Sequence, residues 1–188
     1  MDQKDIMKPT IELSTGRLHL RPIQLSDARE LWSYRSDRVA NRYQGWIPGS
    51  IEDAEQFISE RVSPVLNVNG TWFQFAVILR ANGRMIGDIG LHFFDNANRQ
   101  VELGCTLGTG YQGCGYATEA LMEVIRYLFG TLDKHRLIAS IDPENLKSIH
   151  LFERLGFRKE GHFRKCRLQD GQWIDDLIFA LLREEMAP

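Results

Sequence analysis

The sequence predicts a single α+β domain layered like an α/β protein, with a mixed central sheet of about seven strands and helices on both faces. Two observations lead there. The middle third of the chain alternates apolar and polar residues over three neighbouring runs with short connections, the pattern of an antiparallel meander. The next stretch reads strand, helix, strand, a unit that joins parallel strands. A sheet that holds both is mixed. With 188 residues, 43% of them hydrophobic, the chain is long enough to bury one substantial core.

Residues 1–14 read as an N-terminal extension and residues 15–188 as the domain. "RLHLRPI" (Arg17 to Ile23) alternates and reads as the first strand. Ser26 is placed to cap a helix carrying Ala28, Leu31 and Trp32, and Ser50 opens "SIEDAEQFISERV", with Asp53 placed to complete a capping box. "TWFQFAVIL" (Thr71 to Leu79) and "RMIGDIGLHFF" (Arg84 to Phe94) form a hairpin through Asn82-Gly83, and "QVELGCTL" (Gln100 to Leu107) is the third meander strand. A glycine-rich loop then leads into "YATEALMEVIRYLF", whose apolar face is Ala120, Leu121, Val124, Ile125 and Leu128. "RLIASI" (Arg136 to Ile141) is the strand that closes the crossover. "NLKSIHLFERLGF" is a short helix ended by Gly156, a left-handed cap. "RKEGHFRK" and "WIDDLIFALL" pair last, around Asp170-Gly171.

Composition narrows the function classes. A net charge of −2 and a pI near 6.2 give no polyanion footprint, so no nucleic-acid partner is expected. The three cysteines, Cys105, Cys114 and Cys166, are odd in number and scattered, which fits a reducing compartment and offers no C-x-x-C zinc pair. The five histidines show no metal-binding spacing, and no metal is expected. "MDQKDIMKPTIELST" lacks the apolar centre of a signal peptide, and no apolar run reaches the length of a membrane span. A cytoplasmic protein without membrane attachment is the expectation, as a monomer or a homodimer.

The chemistry concentrates in "GYQGCGYATEA" (Gly110 to Ala120), three glycines running into a helix start. Glycine lets backbone approach a ligand closely, and a helix N-terminus offers free N–H groups and partial positive charge. That combination suits phosphate. Three phosphate motifs compete. Gly108, Gly110 and Gly113 match the dinucleotide fingerprint G-x-G-x-x-G literally, but they follow a meander strand. Asp133 precedes the next strand and Asp142 lies too far along, so the ribose carboxylate is missing. Gly110 and Gly115 have nucleoside-triphosphate-loop spacing, but Tyr116 and Ala117 replace its lysine and hydroxyl residue. The third motif is Gln112-x-x-Gly115-x-Ala117.

This third motif, with "NLKSIHLFERLGF" downstream, resembles the two signatures of the GNAT superfamily of acetyl-CoA-dependent acyltransferases. "RLHLRPIQLSDARELW" and "GQWIDDLIFALL" resemble the start and finish of the branch that holds the ribosomal-protein alanine and serine N-terminal acetyltransferases. The likeness runs from about Thr15 to Arg183. It implies a GNAT fold, in which the last meander strand splays from its parallel neighbour and pantetheine lies in the gap. It also implies acetyl-CoA as co-substrate and direct attack of an amine on the thioester in a ternary complex. Carried over, Leu103, Cys105 and Leu107 would meet the pantetheine amides, and Gln112, Gly113, Cys114, Gly115, Tyr116 and Ala117 the pyrophosphate. Related loops often place a basic residue where this chain has Cys114, so one cation is missing.

Direct attack needs a base for the ammonium proton and a donor for the departing thiolate. Glu102, on the strand beside the splay, is the candidate base, with a water chain as its rival. Many GNAT enzymes use a late tyrosine as acid, but this chain has Phe152 at that position. Ser148, three after Asn145, is the substitute, and Asn145 is expected either to bond the pantetheine arm or to cap its helix; the resemblance also counts Asn145, Ser148 and Phe152 among the residues that meet the cofactor. Cys105 lacks a histidine partner at motif spacing, which argues against a covalent acyl-enzyme. Tyr43, Trp46, Trp72 and Phe93 are candidate acceptor-site aromatics. The acceptor itself stays open between a protein N-terminus and a small amine such as an aminoglycoside, polyamine or metabolite. A non-catalytic acyl-CoA-binding module is the remaining alternative.

Overall fold

The computed structural model describes residues 11–169 and 171–186; most of the N-terminal extension and Asp170 of the last hairpin lie outside the described residues. The sheet runs β1 (Leu13–Ser14), β2 (Leu18–Pro22), β3 (Thr71–Leu79), β4 (Met85–Phe93), β5 (Gln100–Leu107), β6 (Arg136–Ile141), β7 (Arg158–Gln169) and β8 (Gln172–Leu182) along the chain. In space the order is β1-β2-β3-β4-β5-β6-β8-β7. The seven expected strands are present, and Leu13–Ser14 adds an eighth at the edge. Among these neighbours only β5 and β6 are parallel.

Helices α1 (Ala28–Arg35) and α2 (Ile51–Gln56) cover one face, and α3 (Tyr116–Gly130) and α4 (Leu146–Arg154) the other. The periodic stripe of α3 is what holds it down. Ala120, Leu121, Val124, Ile125 and Leu128 are all at most 1% exposed. Each large aliphatic side chain buried this way contributes about 1.5–3 kcal/mol. Gly156, at φ 90°, ends α4 as expected, and Phe157 N–H returns to the Phe152 carbonyl.

Two helix starts differ in detail. Ser26 caps nothing. It lies in a 3₁₀ turn (Leu25–Asp27), where the Asp27 carboxylate accepts from Gln24 N–H at 2.8 Å and pairs with Arg21 at 2.6 and 2.7 Å. The charge-assisted pair draws the carboxylate into the capping role. Ser50 does cap α2, accepting from Asp53 N–H at 3.2 Å, but the Asp53 carboxylate takes the Gly49 N–H at 2.8 Å, so the box is displaced by one residue. After Gln56 the helix widens into a π turn (Phe57–Arg61).

One polar cluster penetrates the α1 side of the sheet. Asp88, on β4 and 0% exposed, accepts from Arg35 Nη2 at 2.6 Å and Nε at 3.1 Å, from Tyr34 Oη at 2.6 Å, and from Gln74 Nε2. Burial and the Asp88 charge push the Tyr34 phenol well above its ordinary range. The cluster fastens α1 to the meander directly beside Thr106 of β5, the partner of Asp88.

Candidate active site

The ladder between β5 and β6 is short. It runs from Gln100↔Arg136 to Glu102↔Ile138 and stops. Beyond it, Leu103–Leu107 keep β4 as their partner while β6 continues beside β8. The splay implied by the resemblance is therefore present, and it leaves one edge of β5 with unpaired backbone groups.

The glycine loop closes the far end of that gap. Gly113 and Gly115 have φ of 75° and 82°, conformations open to glycine at little strain. The first bond of α3 is Glu119 N–H to the Gly115 carbonyl, and the backbone N–H groups from Gly113 to Ala117 find no acceptor among the described residues. No atom lies within 4 Å of a Cβ built on Gly104, Gly110 or Gly113, so a ligand can approach the backbone there. Gln112 Nε2 holds the end of β5 through the Leu107 carbonyl at 3.0 Å, and Lys147 Nζ of α4 donates to Gln112 Oε1 at 3.4 Å. Donors, dipole and open space fit a diphosphate.

Sequence reasoning missed Arg17. From the turn between β1 and β2, its Nη1 donates to the Cys114 carbonyl at 3.0 Å and its guanidinium lies 4.4 Å from the Tyr116 ring centre. A guanidinium thus sits beside Cys114, brought there from a turn 97 residues earlier in the chain. A trans peptide points its C=O and N–H in opposite directions, so fixing the Cys114 carbonyl turns the Gly115 N–H away from Arg17. No local sequence signal announces this contact.

Glu102 stands on the opposite side of the gap. Trp72, His92, Glu102 and Ile138 are successive cross-strand partners and share one face, the face on which α1 meets Asp88. His92 stacks on Trp72 with ring centres 4.7 Å apart and holds Glu102 at 3.5 Å. Burial raises the Glu102 carboxyl above its usual range, and the Asp176 charge adds to the rise, while His92 and Arg167 oppose it. Asp176, on β8, takes both its oxygens to Ser140 Oγ at 2.7 and 2.9 Å and is also raised by burial. His92 and Asp176 could be found only through cross-strand register.

The other candidates divide. Tyr43 reaches from its loop to the Glu144 carbonyl at 3.1 Å, and Trp46 stacks on Phe57 at 4.3 Å. Trp72, 39% exposed, faces the Glu102 side. Phe93 does not: it is 0% exposed in the α3-side core, beneath Lys134, because it lies one residue from His92 and side chains alternate. Asn145 Oδ1 accepts the Ser148 N–H at 3.2 Å, the capping role. The Ser148 hydroxyl has no partner among the described residues. Phe152 is 4% exposed and packs edge-on to Phe157 in the core. Burial, helped by the Asp88 charge, pushes the Cys105 thiol up to about 12, which leaves it no thiolate for nucleophilic work at neutral pH.

Residues 17–158 match the family described as acetyltransferase (GNAT) domain. The chain belongs to that family. GNAT enzymes move an acetyl group from acetyl-CoA to an amine, and this chain is an acyltransferase of that kind. It is 35% identical over 179 residues to the uncharacterized N-acetyltransferase p20 of Bacillus licheniformis, covering 93% of this chain and 98% of that one. It is 31% identical over 191 residues to the ribosomal protein uS5-alanine N-acetyltransferase of Escherichia coli, covering 96% and 95%. The crystal structure of a GNAT-family acetyltransferase from Bacillus anthracis superposes with a TM-score of 0.82 at 28% identity, over 93% of this chain and 100% of that one. Among the described residues no helix is long and apolar enough to cross a membrane.

Proposed function

We propose that this GNAT enzyme acetylates a primary amine by direct attack in a ternary complex with acetyl-CoA, and that its acceptor is the N-terminus of a protein. The observation that supports this best is the short β5–β6 ladder, which ends at Glu102. It leaves a free strand edge between a carboxylate and a set of unpaired N–H groups. Pantetheine would lie along Leu103, Cys105 and Leu107, with its diphosphate on the backbone from Gln112 to Ala117. The thioester then falls near Glu102.

In this reading Glu102 removes a proton from the incoming ammonium group. The nitrogen lone pair attacks the thioester carbon, the C–S bond breaks, the second proton leaves the nitrogen and ends on the departing sulfur, and the Ser148 hydroxyl donates a hydrogen bond to that sulfur as it leaves. The products are the N-acetylated acceptor and CoA. The likeness to the uS5-alanine N-acetyltransferase favours a protein N-terminus over a small amine. Calorimetric titration with acetyl-CoA, with NAD as control, tests the first half: a folded sample that ignores acetyl-CoA would sink the reading. CoA release on adding N-terminal peptides tests the second.

A further inference from the structure

Arg167 holds Nε and Nη2 shielded from solvent and without a hydrogen-bond partner among the described residues. These nitrogens form the edge of the guanidinium that pairs with oxygen atoms side by side. An N–H shielded this way loses its hydration and gains nothing in exchange unless a ligand supplies the acceptor. The nearby carboxylates are engaged elsewhere: Asp176 binds Ser140, and Glu102 faces His92.

The chain places Arg167 by interrupting its own ladder. The β7–β8 register shifts between Phe163 and Arg167, with Lys165 at φ 47°, and pairing resumes at Arg167↔Ile174. Ile174, Asp176 and Ile178 alternate on one face, Ile178 pairs with Ser140, and Ile138 pairs with Glu102. Arg167, Asp176, Ser140 and Glu102 therefore share the acceptor side of the sheet. Arg167 is close enough to draw down the raised pKa of both Glu102 and Asp176. Two residues on, Gln169 Oε1 is likewise shielded and unpartnered, while its Nε2 donates to the Arg42 carbonyl at 2.9 Å. That bond ties the hairpin to the loop carrying Tyr43 and Trp46.

We infer that Arg167 is a specificity residue of the acceptor site: its Nε–Nη2 edge receives an oxygen of a carbonyl or carboxylate group attached to the carbon that carries the amine. Resting on the proposed acetyl transfer, this makes the acceptor an α-aminoacyl compound, either a peptide N-terminus or a free α-amino acid. The charge pattern matches such a molecule, with the ammonium group toward Glu102 and Asp176 and the oxygen toward Arg167. A polyamine would instead bring a second cation against the guanidinium.

The test uses the full chain with acetyl-CoA and follows CoA release with an alanyl dipeptide amide, with L-alanine and with spermidine. The wild-type protein is expected to prefer at least one alanyl probe, and the choice between the two separates a carbonyl from a carboxylate source. Arg167→Met is expected to raise KM for that probe at least about tenfold with kcat nearly unchanged, and to leave spermidine unaffected or improved. Arg167→Lys keeps the charge without the fork and should lose the alanyl preference while melting like the wild type. An unchanged alanyl KM in both variants, or a wild-type preference for spermidine, overturns the inference. Where no probe is acetylated, calorimetry of the alanyl probes on the CoA-bound protein replaces turnover, and absence of binding overturns it equally. Loss of acetyl-CoA binding itself is a separate result, and that one strikes the proposed function.

Discussion

Glu119, on the first turn of α3, grips Arg17 from 102 residues away: Oε1 accepts the Arg17 backbone N–H at 2.9 Å and Oε2 accepts Nε at 2.6 Å. Thr15 Oγ1 donates to the same carboxylate at 2.5 Å. The bonds hold the Glu119 carboxyl below its usual range despite partial burial. Arg17 so held fixes the Cys114–Gly115 peptide of the glycine loop. Arg17→Ala is expected to weaken acetyl-CoA binding by about tenfold or more, since one charge-assisted contact contributes about 1.5–3 kcal/mol. Glu119→Gln should do the same, because Arg17 then loses its hold. Turnover of acetyl-pantetheine, which lacks the diphosphate, should not change in either variant. An equal loss with both donors would show general destabilisation instead.

Glu102 predicts a pH profile. As a base it works ionised, and burial raises its pKa, so kcat/KM should fall on acidification at a pH above the ordinary carboxylate range. His92 lowers that pKa, so His92→Phe should move the acidic limb to higher pH. Glu102→Gln should remove the limb and reduce kcat by about 100-fold. Stability runs the other way. A carboxyl raised in the folded state holds its proton more tightly than in the unfolded chain. The stability this gives is complete below the unfolded pKa and lost as pH rises through the folded one. At a pH above the folded-state pKa the ionised group therefore burdens the fold, and there Glu102→Gln is expected to raise Tm while it abolishes the base.

Asn145 and Ser148 separate capping from chemistry. Asn145→Ala removes the bond to Ser148 N–H and should cost about 1 kcal/mol, a Tm loss of about 2–4 °C for a chain of this size. Ser148→Ala removes a hydroxyl that has no partner among the described residues and should leave Tm in place. If that hydroxyl serves the departing thiolate, kcat falls at least about tenfold while acetyl-CoA affinity holds. An unchanged kcat would remove Ser148 from the chemistry.

What was legible in the sequence is what local backbone physics decides. Gly113 and Gly115 announce their conformations because few other residues adopt φ near 80° without strain. The α3 stripe and the three meander strands show their period. What was not legible depends on register. A two-residue turn at Asn82-Gly83 would set Trp72 opposite Phe93. The actual hairpin closes at Leu79 N–H to the Arg84 carbonyl, then slips one residue at Val77/Ile78, so Trp72 meets His92. A one-residue difference moves a side chain to the other face, and it put Phe93 in the core. Arg167 is hidden by the same kind of irregularity in β7. Arg17 was missed because its partners lie in α3 and the glycine loop, beyond any local window.

The Asp88–Arg35 pair gives the largest expected effect on stability. Both groups are within the core, and the pair is bidentate, with Tyr34 and Gln74 completing the carboxylate's shell. Asp88→Asn keeps the shape but leaves the Arg35 guanidinium buried without a counter-charge. Breaking a buried pair this way costs about 3–5 kcal/mol, or about 6–20 °C in Tm for a chain of this length. Arg35→Met should cost a similar amount by stranding Asp88. The double variant Arg35→Met/Asp88→Asn carries neither charge, so it should melt above the sum of the single losses, by a coupling of at least about 1 kcal/mol. Thr106 lies opposite Asp88 on β5, so the single variants should also weaken acetyl-CoA binding by loosening the strand that borders the splay. Simple additivity in the double variant would mean that the two side chains act independently, against the geometry of the pair.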